Sequence, residues 1–446
     1  MAITSDSELP ISSVDDLLEP FHQACKPAAE FRVGTEAEKF GWVVDAHVPL
    51  PFTGSPSVQL VLRSLADRFG WHPEREHADG EVIALTRDRA SVTLEPAGQL
   101  ELSGAPLETI HETQREFDRH LSELNTICEP LHVAWLSLGF HPFAAQNALP
   151  RVPKLRYSIM EEYLPTQGAR ALDMMRRTCT VQANLDFSSE SDALRKLRIG
   201  LALQPIVTAM FANSPLYEGR LGPRASERAQ VWLEMDAARS GLLPFAWERE
   251  MSFQRYVEWA LDVPMFLIKR GARVINNTQQ TFRAFMRDGC RGERATSSDW
   301  RTHLNTLFPE ARLKNTLEMR GADAQSRSLT SALPALWKGL MYDEQALRQA
   351  ETLISPLTAS TMQSVRPEVA TQGLRAQLLG RPLAAWADEV VTIARDGLTR
   401  IDAKNERGEN EAIFLDSLLA MVKQGHCPAD LLRAELQGGG DLTARV

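Results

Sequence analysis

The chain has 446 residues, of which 43% are hydrophobic and 24% are charged, and its formal net charge is −9. Such a chain can bury a large core in one large domain or two moderate ones. The acidic balance argues against nucleic acid as the main partner, because phosphate backbones require a basic surface. The sequence contains no run of 18 apolar residues, so it predicts no transmembrane helix and no membrane partner.

The N-terminus and the cysteines indicate the compartment. The first twenty residues are acidic and have the pattern of neither a signal peptide nor a transit peptide, so we expect a cytoplasmic protein. The five cysteines are far apart and form no CxxC motif. This spacing argues against a zinc ribbon and against a disulfide scaffold.

The first part of the chain mixes helices with strands. Its apolar spacing predicts helices at 13–29, 58–69 and 106–128. Strand patterns lie at 31–38, in three short runs within 81–104, at 132–142 and at 177–187. Tight turns are expected at Asp88-Arg89 and at Pro96-Ala97-Gly98.

The second part is mainly helical. The predicted helices are 191–213, 225–238, 250–263, 332–342, 343–353, 365–379, 383–399, 409–424 and 428–436. Short strands are expected at 264–268 and 313–320. We therefore predict an α+β fold with helices around a largely antiparallel sheet. The prediction is one catalytic domain over 1–446, with a sheet core at about 31–320 and a mainly helical C-terminal part at about 331–436.

Four of the predicted strands carry polar residues two positions apart. Side chains alternate between the faces of a strand, so residues with this spacing share a face. The polar sets are Glu36 with Glu38, Gln99 with Glu101, Thr180 with Gln182 and Asn184, and Glu318 with Arg320. One such set is typical of a solvated strand, whereas four together favour a single sheet with a cation-binding face, because a buried unpaired carboxylate is unfavourable.

Oxygen ligands favour Mg²⁺, with Mn²⁺ as an alternative, over zinc. The candidate ligands are Glu36, Glu38, Glu95, Glu101 and Glu318, with Gln182 as a further oxygen. Five carboxylates carry too much charge for one ion, so we expect two or three ions bridged by a polyphosphate such as a nucleoside triphosphate. Neither a P-loop nor a Rossmann GxGxxG motif is present. The candidate phosphate-binding and carboxylate-binding cations are Arg176, Arg177, Arg239, Lys314 and Arg320.

Several long blocks occur in the order typical of one known family. They include VGTEAEKFGW, LEPAGQLELSGAPLETIHET, MMRRTCTVQANLDFSSESD, FANSPLYEGR, WLEMDAARSGLLPF and RLKNTLEMRGADAQ, and they span about residues 31 to 345. The chain thereby resembles the plant-type glutamate–cysteine ligase family, which also occurs in proteobacteria. The resemblance implies a fold related to glutamine synthetase, with a curved antiparallel sheet. It also implies that ATP joins L-glutamate to L-cysteine, giving γ-glutamylcysteine, ADP and phosphate, which is the first step of glutathione biosynthesis.

The resemblance also implies roles for individual residues. The six oxygen ligands named above would bind Mg²⁺ or lie beside it, and Arg320 would stabilise the transferred phosphoryl group. Arg177 and Arg239 would bind the carboxylates of glutamate, Lys314 would reach the nucleotide phosphates, and the segment 174–180 with Met175 and Thr180 would line the glutamate pocket.

The chain departs from the family pattern at two positions. Ala97 replaces a glycine that is common in the family, which matters only if this position requires a positive φ. Gln114 stands where plant members have one cysteine of a regulatory disulfide, so we do not expect that redox switch here.

Three alternatives to this function remain open from the sequence. A sister ligase would join glutamate to an amine other than cysteine and would use the same acidic sheet. A metal-dependent hydrolase would use carboxylate-bound ions without a nucleotide, and a non-catalytic scaffold would keep the fold without turnover. The expected partners are the small-molecule substrates, and the chain is either a monomer or a homodimer.

Overall fold

The computed structural model describes residues 9–76, 79–271 and 273–440. The strands in chain order are β1 Val33–Val43, β2 Val48–Pro49, β3 His72–Arg75, β4 Val82–Arg87, β5 Ala90–Leu94, β6 Leu100–Ser103, β7 Val133–Leu136, β8 Thr180–Leu185, β9 Leu216–Tyr217, β10 Arg220–Leu221, β11 Ser240–Gly241, β12 Leu267–Arg270, β13 Arg273–Asn276, β14 Phe308–Pro309, β15 Ala311–Leu313, β16 Leu317–Asp323, β17 Gln377–Leu378 and β18 Arg381–Pro382. The helices are α1 Asp15–Gln23, α2 Val58–Phe69, α3 Ile110–Cys128, α4 Leu155–Tyr163, α5 Ala171–Arg177, α6 Glu190–Met210, α7 Glu227–Leu233, α8 Phe253–Leu261, α9 Phe282–Asp288, α10 Ser297–Leu304, α11 Arg327–Thr330, α12 Ala332–Met341, α13 Glu344–Ile354, α14 Ala359–Gln372, α15 Leu383–Ile401, α16 Asp416–Lys423 and α17 Pro428–Gln437.

One ten-stranded sheet organises the molecule. Its main path is β15-β16-β8-β1-β6-β5-β4-β3, and β2 and β7 pair with the second half of β1. Neighbouring strands of this sheet run antiparallel. β1 is central because its first half pairs with both β6 and β8, which come from distant parts of the chain. The expected largely antiparallel sheet is therefore confirmed.

Helices cover one face of this sheet. Ala37, Leu100 and Leu102 pack in an apolar cluster with residues of α2 and α3. Val181 and Met319 pack in a larger cluster with residues of α6, α12 and α15. Because side chains alternate along each strand, the residues between these apolar positions point to the opposite face. That opposite face carries the candidate site, and its polar side chains are also buried.

The C-terminal helices share the core of the sheet. Leu333 on α12 and Val390 on α15 belong to the same apolar cluster as Val181 on β8. A buried ion pair adds a polar link, since Glu411 lies 2.7 Å from Nζ of Lys338 and also accepts a hydrogen bond at 2.6 Å from the first backbone N–H of α3. None of the helices in the described ranges is both long and apolar enough to cross a lipid bilayer.

The structure corrects the predicted elements near the site. The predicted strand at 313–320 is two strands, β15 and β16, because Lys314 N–H donates to the carbonyl of Thr316 and closes a tight turn. Arg177 ends a helix instead of beginning a strand, and both Arg176 and Arg177 are buried. The alternation rule fails there because it holds only for extended backbone.

Candidate active site

Strand register brings the predicted polar residues to one face of the sheet. Glu38 on β1 lies opposite Glu101 on β6, and Glu36 lies opposite Gln182 on β8. Glu318 on β16 lies opposite the residue two positions beyond Gln182 and therefore points the same way. We call these five side chains the acidic face. The prediction that they share a face is confirmed, whereas their role as ligands stays a prediction.

Glu95 begins the turn that joins β5 to β6. Its N–H donates to the carbonyl of Gln99, and its own carbonyl accepts from the N–H of Gly98, both at 2.9 Å. The positive φ of this turn, +76°, falls at Gly98. Ala97 is not among the residues with positive φ, so alanine fits the turn without strain. The Gln99 amide donates to the carbonyl of Met175 at 3.2 Å, which ties the turn to the end of α5.

Glu38, Glu95 and Glu101 form an acidic cluster on this face. Burial, and then the charges of Glu95 and Glu101, raise the pKa of Glu38 well above its usual value. Burial, and then the charges of Glu36 and Glu95, raise the pKa of Glu101 to about 8. The hydrogen bonds seen at these carboxylates come from neutral donors, such as the Thr180 N–H at 3.0 Å from Glu38 Oε2. A bound cation would therefore relieve the repulsion among these carboxylates that keeps the pKa values of Glu38 and Glu101 raised.

The acidic cluster fits a divalent cation by charge and by ligand type. Carboxylate and amide oxygens are the ligands that Mg²⁺ and Mn²⁺ prefer. Within the described residues, however, no three His, Cys, Asp or Glu side chains converge into a ready-made metal site. The carboxylates would have to move toward an ion in order to bind it.

Glu318 lies in a different electrostatic environment. Its oxygens are 2.7 Å from Nη2 of Arg312 and 2.7 Å from Nζ of Lys314, and Nη1 of Arg320 also contacts it. Burial disfavours the charged form, but these three cations outweigh burial and lower the pKa of Glu318 well below its usual value. A metal ion would have to displace them, so the contacts do not support the prediction that Glu318 is a ligand.

Arg320 and Lys314 were both predicted to act on phosphate. Arg320 Nη1 donates to Oε1 of Gln182 at 2.8 Å as well as to Glu318, which holds the guanidinium over the acidic face. Lys314 points to the same carboxylate from the β15–β16 turn. Burial, and then the charge of Arg312, lower the pKa of Lys314. Both cations thus lie beside the predicted ligands, as a phosphate-binding role requires.

Arg177 lies at the end of α5 with part of its guanidinium unpaired. It is 1% exposed, and its Nη1 lies 3.3 Å from Glu218. Its guanidinium carbon lies 4.4 Å from the ring centre of Phe140 and 4.6 Å from that of Tyr217. Its Nε and Nη2 are buried, and no group in the described part of the chain forms a hydrogen bond with them. These two donors suit a carboxylate, because a guanidinium can bind both oxygens at once.

The other two predicted glutamate-pocket residues have defined contacts. Thr180 donates its N–H to Glu38 and its hydroxyl to the carbonyl of Ala322 at 2.6 Å. It therefore orients the acidic cluster. The Met175 side chain packs in an apolar cluster that includes Leu164, so its backbone carbonyl is the part that faces the turn at Gln99.

All three guanidinium nitrogens of Arg239 are bonded to other groups of the protein. It is fully buried, with Nε 2.7 Å from Asp236 Oδ2 and with Nη1 and Nη2 donating to the carbonyls of Thr306 and Pro264. Each guanidinium nitrogen therefore already has a partner inside the protein. The structure assigns Arg239 a packing role and gives no support to the prediction that it binds substrate.

A cavity beside Arg320 contains residues that the sequence pattern missed. We call it the arginine cavity, and its principal lining residues are Arg228, Trp232, Phe308, Glu310, Arg320 and Arg366. Most of these lie on helices or at strand ends, so a search for polar residues two apart in strands could not find them. For Arg228 and Trp232 the available signal was the WLEMDAARSGLLPF block, which begins at Trp232 and from which Arg239 was predicted as the substrate-binding residue.

Comparison with known proteins places the chain in a family. The sequence profile of glutamate–cysteine ligase family 2 matches residues 32–445, so the chain belongs to that family. Glutamate–cysteine ligase B, chloroplastic, of Oryza sativa subsp. japonica is 42% identical over 421 residues, which cover 94% of this chain and 83% of that protein. The chloroplastic glutamate–cysteine ligase of Arabidopsis thaliana is 41% identical over 421 residues, which cover 94% of this chain and 78% of that protein. The predicted family is confirmed.

A solved structure supports the predicted fold class. The glutamate–cysteine ligase of Francisella tularensis in complex with AMP aligns with a TM-score of 0.53 and 13% identity, covering 92% of this chain and 85% of that chain. At this identity the likeness concerns the fold alone, and it agrees with an α+β arrangement of the glutamine-synthetase type.

Proposed function

We propose that this chain is a glutamate–cysteine ligase that joins the γ-carboxylate of L-glutamate to the amino group of L-cysteine at the expense of ATP. The products are γ-glutamylcysteine, ADP and phosphate, and the reaction is the first step of glutathione biosynthesis. The observation that carries this proposal is the acidic cluster, in which burial and neighbouring carboxylates raise the pKa values of Glu38 and Glu101, beside Arg320, whose Nη1 donates to Gln182 on the same face. Family membership supports the choice of substrates.

The metal proposal rests on the same carboxylates. Glu38, Glu95 and Glu101 would hold Mg²⁺, two or three ions in all, with Glu36 and Gln182 as the adjacent oxygen ligands. When bound, such ions neutralise charge on the carboxylates and on the nucleotide phosphates. The ion pairs of Glu318 favour a different role for that residue, which is to orient Arg312, Lys314 and Arg320.

The residues of the chain suit transfer through an acyl phosphate. A γ-carboxylate oxygen of glutamate attacks the terminal phosphorus of ATP, and the bond from that phosphorus to ADP breaks. The amine nitrogen of cysteine then attacks the acyl carbon, loses a proton, and expels phosphate together with that carboxylate oxygen. Arg320 would stabilise the charge of the transferred group, Lys314 would contact the nucleotide phosphates, and the unpaired donors of Arg177 would bind a carboxylate of glutamate.

A coupled assay of ADP release tests this function. We expect ADP release to require glutamate, cysteine and Mg²⁺ together, and Glu38→Gln to remove it while the protein stays folded. If cysteine gave no ADP but another amine did, the chain would be a sister ligase. Amide hydrolysis without any use of ATP would favour a hydrolase instead.

Three further features remain part of the proposal. We propose that residues 1–446 act as a single catalytic domain, because the C-terminal helices share the apolar cluster of the sheet. The expected cytoplasmic location stays a prediction, since the relatives named above are chloroplastic. Monomer and homodimer both remain compatible with a site built from one chain.

A further inference from the structure

His141 lies in the loop after β7, and hydrogen bonds fix this loop to the end of α5. The N–H of His141 donates to the carbonyl of Arg177 at 2.8 Å, and the N–H of Cys179 donates to the carbonyl of Gly139 at 3.0 Å. The imidazole is buried, since His141 is only 1% exposed. His141 is therefore held beside the segment that carries Arg177 and leads into β8.

Backbone hydrogen bonds determine which ring nitrogen of His141 carries the proton. Nδ1 accepts from the N–H of Ala144 at 3.0 Å and from the N–H of Phe143 at 3.3 Å. A ring nitrogen that accepts a hydrogen bond has no proton of its own, so the neutral imidazole carries its proton on Nε2. Burial, and then the charge of Arg177, lower the pKa of His141 to about 3, which agrees with a neutral ring. His141 thus presents Nε2–H as an uncharged donor.

This Nε2 donor is buried, and no group among the described residues accepts a hydrogen bond from it. The centre of the imidazole ring lies 4.9 Å from that of Phe40 and 5.9 Å from that of Trp42. Phe40 and Trp42 follow Glu38 at alternate positions of β1, so they point to the same side of the sheet as Glu38. The imidazole therefore lies on the side of the sheet that carries the acidic cluster, and not beneath the covering helices.

Arg177 supplies two further donors near His141. Its Nε and Nη2 are buried, and nothing in residues 9–76, 79–271 and 273–440 accepts a hydrogen bond from them. The charge of Arg177 acts on the His141 ring, and the Arg177 guanidinium carbon lies 4.4 Å from the ring centre of the preceding residue, Phe140. A guanidinium can bind both oxygens of a carboxylate, and a neutral N–H beside it can bind an oxygen of the same molecule without adding charge. Since buried donors in folded proteins nearly always have an acceptor, a ligand that brings several oxygens fits all three.

We propose that His141 is a further substrate-binding residue, whose Nε2–H donates a hydrogen bond to a carboxylate oxygen of glutamate while Arg177 binds the same molecule. This inference rests on the proposed function and deepens it, because it adds a residue to the glutamate pocket of that reaction. His141 keeps its proton throughout, so its role is to position the substrate and to lower the KM for glutamate.

His141→Asn and His141→Gln separate the roles of the two ring nitrogens. The amide oxygen of asparagine lies close to the position of Nδ1 and can still accept from Phe143 and Ala144, whereas its amide nitrogen does not reach the position of Nε2. The longer side chain of glutamine places an amide N–H near the position of Nε2.

The two variants should differ in steady-state assays of ADP release by the full chain. We expect His141→Asn to raise the KM for glutamate about tenfold, which is the effect of one lost hydrogen bond to a charged group, and His141→Gln to raise it less than about threefold. The KM values for cysteine and ATP should stay unchanged in both variants.

His120→Asn is the matched control. Both ring nitrogens of His120 are also buried, with no hydrogen-bond partner in the described ranges. His120 lies on α3, however, and its ring centre is 6.2 Å from that of Trp71, which belongs to the apolar cluster under the covering helices. This control should leave the KM for glutamate unchanged, and circular dichroism with the melting temperature shows whether each variant folds.

A measurement on the wild-type protein does not depend on how the variants fold. With ¹⁵N-labelled histidine, Mg²⁺ and a non-hydrolysable ATP analogue, the NMR signal of His141 Nε2–H should shift when glutamate is added. An unchanged KM for glutamate in folded His141→Asn, an equal rise in the two His141 variants, or a His141 signal that does not respond to glutamate would overturn the proposal. Absence of turnover in the wild-type protein would instead refute the proposed function, so the two failures are distinguishable.

Discussion

Glu101→Gln should stabilise the protein in the absence of metal. The ordinary pKa of this carboxyl is 4.5, and burial beside Glu36 and Glu95 raises its pKa to about 8 in the folded protein. At pH 7 the folded chain must therefore take up a proton that the unfolded chain does not bind. At about 1.4 kcal/mol per pKa unit, this costs the wild type about 3 kcal/mol at pH 7. A glutamine carries no charge and avoids that cost.

The way in which this stabilisation depends on pH follows from the raised pKa of Glu101. Because the folded pKa lies above the unfolded value, the penalty grows as the pH rises from 4.5 toward 8. The stability gained by Glu101→Gln should therefore shrink to about 1.4 kcal/mol at pH 5.5. The assay is urea unfolding followed by tryptophan fluorescence with EDTA present.

Glu318→Gln is the matched substitution, and we expect it to lower the stability of the folded protein. It removes the carboxylate that Arg312, Lys314 and Arg320 share. Loss of one partner of a buried ion pair typically costs about 3–5 kcal/mol, because the remaining charges stay buried. If Glu101→Gln were destabilising, or if both variants changed stability in the same direction, the division of this face into a cluster of mutually repelling carboxylates and a carboxylate neutralised by three cations would be wrong.

Two further predictions concern Arg177 and His303. Arg177→Gln should raise the KM for glutamate at least tenfold, since hydrogen bonds to charged groups contribute about 1.5–3 kcal/mol. Arg176→Gln, which breaks an ion pair with Glu161, should lower stability with little change in that KM, and equal effects on KM would contradict the assignment. Burial lowers the pKa of His303 to about 3, so protonation favours the unfolded chain and stability falls below about pH 6.5. His303→Gln, whose amide can keep the bond to the Ala260 carbonyl, should recover about 2 kcal/mol relative to the wild type at pH 5 in urea titrations, and a difference that is constant with pH would refute this.

The sequence was sufficient to predict which residues share the acidic face. Glu36, Glu38 and Glu101 lie in regular antiparallel strands, where the period of two fixes the direction of each side chain. The same rule located Gln182 on β8 although it is about 146 residues from Glu36, because both strands are regular where they pair.

The sequence could not predict how charges are distributed on that face. Arg312 neutralises Glu318 from the neighbouring strand β15, and this pairing depends on a turn that the sequence pattern does not reveal, because the pattern predicts one continuous strand at 313–320. Arg228 and Trp232 belong to a short helix whose neighbours come from distant parts of the chain. Arg239 resembled a substrate-binding residue in sequence because its partners, one acid and two backbone carbonyls, are recognisable only in the folded structure.

Oxygen transfer is the most direct test of the central claim. The full chain is incubated with Mg²⁺, ATP, cysteine and glutamate labelled with ¹⁸O in its γ-carboxylate, and the products are analysed by mass spectrometry. The acyl-phosphate route predicts γ-glutamylcysteine together with phosphate that contains one ¹⁸O atom, because phosphate leaves with a carboxylate oxygen. Unlabelled phosphate, or ATP consumption without γ-glutamylcysteine, would contradict the account.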